Sequence, residues 1–230
     1  MLEGAALPLA AMTSAVGLYA RLRLPQPWVP ITDDTRIPLV IYGAGSAVGS
    51  YAIQFAQRSN IHPLICIAGK AQEHVEKLID RSKGDVIVDY RKGDEAIVQG
   101  IKDGLKGEKL VHAFDAVSEK GSYQNICKVL DPQGKITFVL PGKTYDEVPK
   151  TVEKTTTRVG DVHADLKDFG YVYFRYITKG LEDGWFKAQP QEVIPGGLRG
   201  IEQALTNLKE GKASAVKYVF KIEDTEGLAK

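Results

Sequence analysis

Cysteine is scarce in this chain: two residues, Cys66 and Cys127, among 230. Both sit in apolar runs with no partner at metal-ligand spacing, which excludes a disulfide-built scaffold and a zinc knuckle. Such thiols fit a reduced, cytoplasmic protein. The histidines at 62, 74, 112 and 163 form no H-x-x-x-H pair, so no metal is expected. Excess charge of either sign is missing too. A net charge of +1 gives no electrostatic case for nucleic acid or an anionic membrane. Charge is wholly absent from Gly4 to Ala20, a run of 17 residues. Met-Leu-Glu opens the chain without a basic segment, and Pro8, Thr13 and Ser14 interrupt the run. It reads as a buried helix, not a signal peptide.

No internal repeat or low-complexity segment occurs. A chain of 230 residues with 43% hydrophobic content can bury a substantial core. After a proline-rich connector (25–38), apolar runs at 39–42, 64–68, 86–89, 110–114 and 135–140 predict strands. Amphipathic patterns at 48–58, 71–81, 94–105 and 120–130 predict helices between them. Gly84, Gly107 and Gly134 are read as punctuating helix ends. Alternating βα units require a parallel sheet covered on both faces, a Rossmann-like doubly wound α/β fold of about six strands. Lys143 to Thr157 is polar and reads as a loop, with 158–163 as the sixth strand. Leu166, Phe169, Val172, Tyr173, Tyr176, Ile177 and Leu181 recur at helical spacing as a core face. The tail, from Gly196, reads as a helix followed by a strand (Val216, Tyr218, Phe220, Ile222). The implied division is a lead-in helix and connector at 1–37, a nucleotide-binding domain at 38–183 and a C-terminal extension at 184–230.

The segment PLVIYGAGSAVGSYAIQFAQ, Pro38 to Gln57, joins a strand to a helix through a glycine turn. Dinucleotide binding needs that order, because small residues let the backbone approach a pyrophosphate at a helix N-terminus. Gly43 and Gly45 occupy the first two fingerprint positions. Val48 stands at the third, and the last glycine falls one later, at Gly49. No GKS or GKT follows, which excludes a P-loop NTPase. A methyltransferase shares the glycine loop but commonly carries an acid after the second strand, so it fits less well. The second strand ends Ala68, Gly69, Lys70. The carboxylate that would hold an unphosphorylated ribose is missing, and an ammonium stands nearby to attract a 2′-phosphate. NADPH is favoured over NADH, with Tyr90 and Arg91 in VDYRK as further phosphate candidates.

Taken together, EGAALPLAAMTSAVGLY, the glycine segment, VIVDYR, FDAVSEKGSY, GKITFV and the GGLRGIEQALTNLKEGKASAVKYVFKI tail resemble the medium-chain dehydrogenase/reductase superfamily. They occur in family order and span nearly the whole chain. The resemblance runs toward zinc-independent quinone oxidoreductases and fungal trans-acting enoyl reductases. It implies a catalytic domain ahead of the first helix that this chain does not contain, so the lead-in helix and tail are expected to expose apolar surface. It also implies loss of a zinc ligand, because Leu9 stands where zinc-dependent members have cysteine.

By carry-over from the family, Thr13 lies near the nicotinamide; the alternative is a helix-interior hydroxyl bonded to its own backbone. Ser46, Ala47, Val48 and Gly49 line the phosphates, and Ala68 to Ala71 surround the adenosine phosphate. Tyr90 follows the adenosine, Val139 and Leu140 flank the nicotinamide ribose, and Asp115 and Val117 lie near the crevice. The resemblance implies an NADPH-dependent reductase delivering hydride to an activated C=C bond of a small-molecule enone, quinone or enoyl thioester. A homodimer built through an edge strand at 158–163 is implied as well. The alternative is a non-catalytic NADPH binder or a regulatory or scaffold product.

Overall fold

The strand–turn–helix rhythm closes into one parallel sheet in the computed structural model, which describes residues 2–227. Its strands are β1 (Leu39–Tyr42), β2 (Leu64–Ala68), β3 (Val86–Asp89), β4 (Leu110–Asp115), β5 (Leu130–Phe138) and β6 (Glu153–Thr156). They pair in parallel in the order 3-2-1-4-5-6. Side chains alternate across a strand, so β1 and β2 each feed two cores. Leu39, Ile41, Leu64 and Cys66 pack under α2 (Pro8–Ala15), α3 (Ala47–Arg58) and α7 (Lys167–Glu182). Val40, Tyr42, Ile65 and Ile67 pack under α5 (Asp94–Leu105) and α6 (Ser122–Cys127).

The uncharged N-terminal run is three segments, not one helix: α1 (Leu2–Ala6), α2, and a π-helical stretch from Val16 to Arg21. Pro8 lacks an N–H and stands at the start of α2, so it begins a helix and cannot continue one. The π-helical stretch passes over Phe114. A methyl group on Gly17 would lie 2.6 Å from that ring.

Several expectations are corrected. The sixth strand is Glu153–Thr156, inside the segment read as a loop, while Val159–His163 is a 3-10 turn. Four polar residues give no apolar alternation to read. Backbone pairing with β5 holds them, helped by the Lys135–Glu153 ion pair at 3.5 Å and the adjoining Thr137–Thr157 hydroxyl pair at 2.8 Å. An edge strand at 158–163 does not exist, and the free edge on that side is β6. The helices at 71–81 and 120–130 shorten to α4 (Gln72–Glu76) and α6. Gly134 lies within β5 instead of at a helix end. In the α7 stripe Tyr173 and Ile177 are buried, but Val172 and Leu181 are exposed.

Beyond α7 the chain forms a small parallel pair, β7 (Gln191–Val193) and β8 (Lys217–Val219), connected by α8 (Ile201–Lys209). The predicted final strand is thus three residues long, and β7 has no counterpart in the sequence reading. Leu9, Ile201, Leu205 and Leu208 are exposed, an apolar surface on the lead-in helix and tail. Among the described residues no helix is long and apolar enough to cross a membrane.

A buried carboxylate organises the amino end of the sheet. Asp85 has no solvent exposure and accepts from Leu64 N–H (2.7 Å), Asp80 N–H (2.9 Å) and Gln57 Nε2 (3.0 Å), with His62 Nδ1 at 2.8 Å. Removing it strands several buried donors at once. Asp85→Ala is therefore expected to cost about 3 kcal/mol or more in urea unfolding. A loss below about 1 kcal/mol, the net worth of one ordinary hydrogen bond, would show that the network contributes little.

Candidate functional site

Open α/β sheets bind ligands at their carboxyl edge where the strand order reverses, here between β1 and β4. β1 runs into Gly43 at φ +76°, a conformation that favours glycine. Val117, from the loop after β4, packs against it: a methyl on Gly43 would lie 2.7 Å from Val117 Cγ2. Gly49 is tighter. Its methyl would lie 2.3 Å from Gly43 O and 2.7 Å from Ala44 Cα, so the first turn of α3 rests directly on the turn after β1. Close packing of helix on turn thus falls to Gly49, and Val48 does not supply it. At Gly45 a methyl would meet Ala71 Cβ at 2.3 Å, which brings the start of α4 against the same loop.

Ser46 caps α3 by accepting the Gly49 N–H at 3.0 Å. The N–H groups of Ala47 and Val48 have no intrahelical acceptor, and the positive end of the helix dipole lies with them. A helix terminus of this kind is chemically suited to an anion. Ser14 Oγ lies 2.7 Å from Val48 O and 2.9 Å from Ala10 O, so α2 is fixed to the same turn. Thr13, next to it, donates its hydroxyl to Leu9 O at 2.7 Å; its lone pairs remain acceptors.

At the end of β2, Gly69 leaves space for Tyr90. A methyl there would lie 2.5 Å from the Tyr90 ring, which is otherwise 45% exposed. Lys70 is exposed and has no carboxylate within ion-pair distance among the described residues. Arg91 differs, because Asp89 holds its guanidinium at 2.6 Å.

Asp115, fully buried at the end of β4, accepts from Val117 N–H (3.0 Å), Ser118 N–H (2.8 Å) and Ser122 Oγ (2.6 Å). Burial raises its pKa, and these hydrogen bonds oppose the rise. Ser118 Oγ in turn accepts the Val139 N–H at 2.9 Å, which ties the loops after β4 and β5. Leu140 O accepts from Tyr145 Oη at 2.5 Å. The structure therefore brings Gly43 to Val117, Gly45 to Ala71, Gly69 to Tyr90, and Val139 to Ser118.

Four residues at this rim escape sequence reasoning: Ser14, Ser118, Asp89 and Gln189. The Asp-x-x-Ser spacing of DAVS is a turn signal that points to Ser118. Nothing in the sequence points to Gln189, whose N–H donates to Tyr51 Oη at 2.9 Å and whose Nε2 lies 3.4 Å from Gly45 O. Among the described residues no three His, Cys, Asp or Glu side chains converge to hold a metal. A groove of about 310 Å³ follows the outer edge of β3 against α5, away from the glycine turn.

A trans-enoyl reductase of Gibberella fujikuroi is 61% identical over 199 residues, which is 86% of this chain and 59% of the relative. The crystal structure of the CurK enoyl reductase superposes with a TM-score of 0.72 at 18% identity, over 94% of this chain and 62% of that one. CurA from Vibrio vulnificus, solved in complex with NADPH, gives a TM-score of 0.68 at 19% identity over 91% and 61%. The chain spans about three fifths of the length of that curated relative. No protein-family model matches it.

Two glycine substitutions separate packing from binding. Gly49→Ala drives a methyl into backbone and should cost about 1–3 kcal/mol in thermal or urea unfolding. Gly69→Ala meets only the far end of Tyr90, so stability should change by less than about 0.5 kcal/mol. Dinucleotide affinity should nevertheless fall by calorimetry as Tyr90 is displaced. Equal stability losses would contradict this division.

Proposed function

Because the chain belongs to the medium-chain dehydrogenase/reductase superfamily, as a trans-enoyl-reductase-like nucleotide-binding part, we propose that it binds NADPH for an enoyl reductase. The observation that carries the reading is the turn at Gly43–Gly49, where a Cβ would fill the space needed to seat α3. That seating presents the Ala47 and Val48 amides at the switch point of the sheet. The absent acid after β2, and a Lys70 with no ion-pair partner among the described residues, support the phosphorylated cofactor. Free Cys66 and Cys127 agree with a cytoplasmic setting.

Ser46, Ala47, Val48 and Gly49 would hold the pyrophosphate, and Gly69, Lys70 and Tyr90 the adenosine end. Thr13, Val117, Val139 and Leu140 would hold the nicotinamide end. When bound, the reduced nicotinamide supplies hydride to the electron-poor carbon of an enone, quinone or enoyl thioester. The chain's own part is to orient the cofactor and shield it from water.

Asp115 is not a free proton donor here, since its oxygens hold the loop after β4. Thr13, Val139 and Leu140 carry no ionisable group. This favours a second reading, in which the chain by itself binds NADPH without turnover. Reduction of an enoyl thioester or a quinone by this chain alone would exclude it.

Calorimetric titration with NADPH and NADH tests the cofactor assignment. NADPH should bind at least tenfold more tightly, about 1.4 kcal/mol. Lys70→Glu should erase that preference while leaving NADH affinity nearly unchanged. Equal affinity of the unaltered chain for both cofactors would refute the phosphate site and leave the dinucleotide fold intact.

A further inference from the structure

The end of β3 carries a feature that the cofactor assignment does not use. Asp89 pairs in register with Ala68, so its carboxylate stands one strand away from the usual position of a ribose-binding acid. Its side chain is only 13% exposed. Both oxygens face the same guanidinium: Arg91 Nε lies 2.9 Å from Oδ1, and the terminal nitrogen lies 2.6 Å from Oδ2. Oδ1 also accepts the Arg91 N–H at 3.0 Å, which starts the turn bearing Tyr90. The guanidinium holds the Asp89 carboxyl well below the usual carboxylate range, so the pair is ionised and self-cancelling. Lys70, two residues past the end of β2, has no such partner among the described residues.

We propose that Asp89 sets cofactor preference from the third strand by sequestering Arg91. In this arrangement the cation that meets the 2′-phosphate is Lys70 and not Arg91, and Arg91 acts by cancelling Asp89. The inference rests on the dinucleotide site proposed above and adds the group that governs its selectivity. Two opposite charges joined in a fork leave little net field for an anion nearby. Breaking the fork from either side must then have opposite consequences. Removing the carboxylate frees a cation, and removing the cation bares a carboxylate facing the phosphate.

The test uses 2′,5′-ADP, which carries the discriminating phosphate, and 5′-AMP, which lacks it, titrated calorimetrically into four proteins. Asp89→Asn keeps an acceptor for the Arg91 N–H and should bind 2′,5′-ADP about threefold or more tighter, while Arg91→Ala should weaken it by a similar factor. The double variant Asp89→Asn/Arg91→Ala should return to within about twofold of the unaltered chain, since the charges removed cancel. Affinity for 5′-AMP should stay unchanged in all four, which also shows that each is folded. If the double variant is as weak as Arg91→Ala, Arg91 touches the phosphate directly and the proposal falls. It falls equally if Asp89→Asn fails to tighten binding. Failure of the unaltered chain to bind either nucleotide would instead overturn the dinucleotide site itself.

Discussion

The contact between Gly49 and the carbonyl of Gly43 is the constraint on which the rest of the site depends. With no side chain at Gly49, the first turn of α3 lies against the turn after β1, and its leading amides reach the sheet's switch point. Everything around it reinforces that seating. Ser46 caps the helix, Ser14 fixes α2 to Val48 O, and Ala71 closes on Gly45. The loop's shape is set by packing from three directions before any ligand contributes, which is the preorganisation that an anion site requires.

Much of this was legible in the residues. Strands β1 to β4 and helices α3 and α5 follow their apolar periodicity, because each buries a face against the sheet. β6 did not show itself, since an edge strand needs no buried face and Glu-Lys-Thr-Thr offers none. The one-residue displacement of the last glycine left open how the fingerprint would close, and only the contact with Gly43 and Ala44 answers it. Side-chain partnerships were the least visible part. Nothing in VDYRK distinguishes a free Arg91 from one folded back on Asp89, and the two have opposite meanings for a phosphate. Asp115 likewise looked like a crevice carboxylate; its three donors make it a clamp for the loop that carries Val117.

Charge and packing divide the labour along the carboxyl edge. Over the glycine turn the work is done by backbone amides and excluded volume, with no side-chain charge required. Around Gly69 side chains take over: Tyr90 fills the glycine's space, and Lys70 is exposed with no ion-pair partner among the described residues. At the nicotinamide end the carried-over residues are uncharged, and the loops bearing Val117 and Val139 are stitched together by Ser118. Leu9 on α2 and Ile201, Leu205 and Leu208 on α8 stand exposed, and the chain spans 59% of the relative's length.

Tyr51 links these themes in another way. Its ring stacks on Phe186 at 5.2 Å, and its hydroxyl lies 3.3 Å from Ala6 O while receiving the Gln189 N–H at 2.9 Å. One phenol midway along α3 thus clasps both the entry to the domain and the segment leaving α7. The same helix presents its amino end to the switch point of the sheet. Through that one side chain, the helix whose leading amides lie at the switch point is tied to both segments that flank the domain.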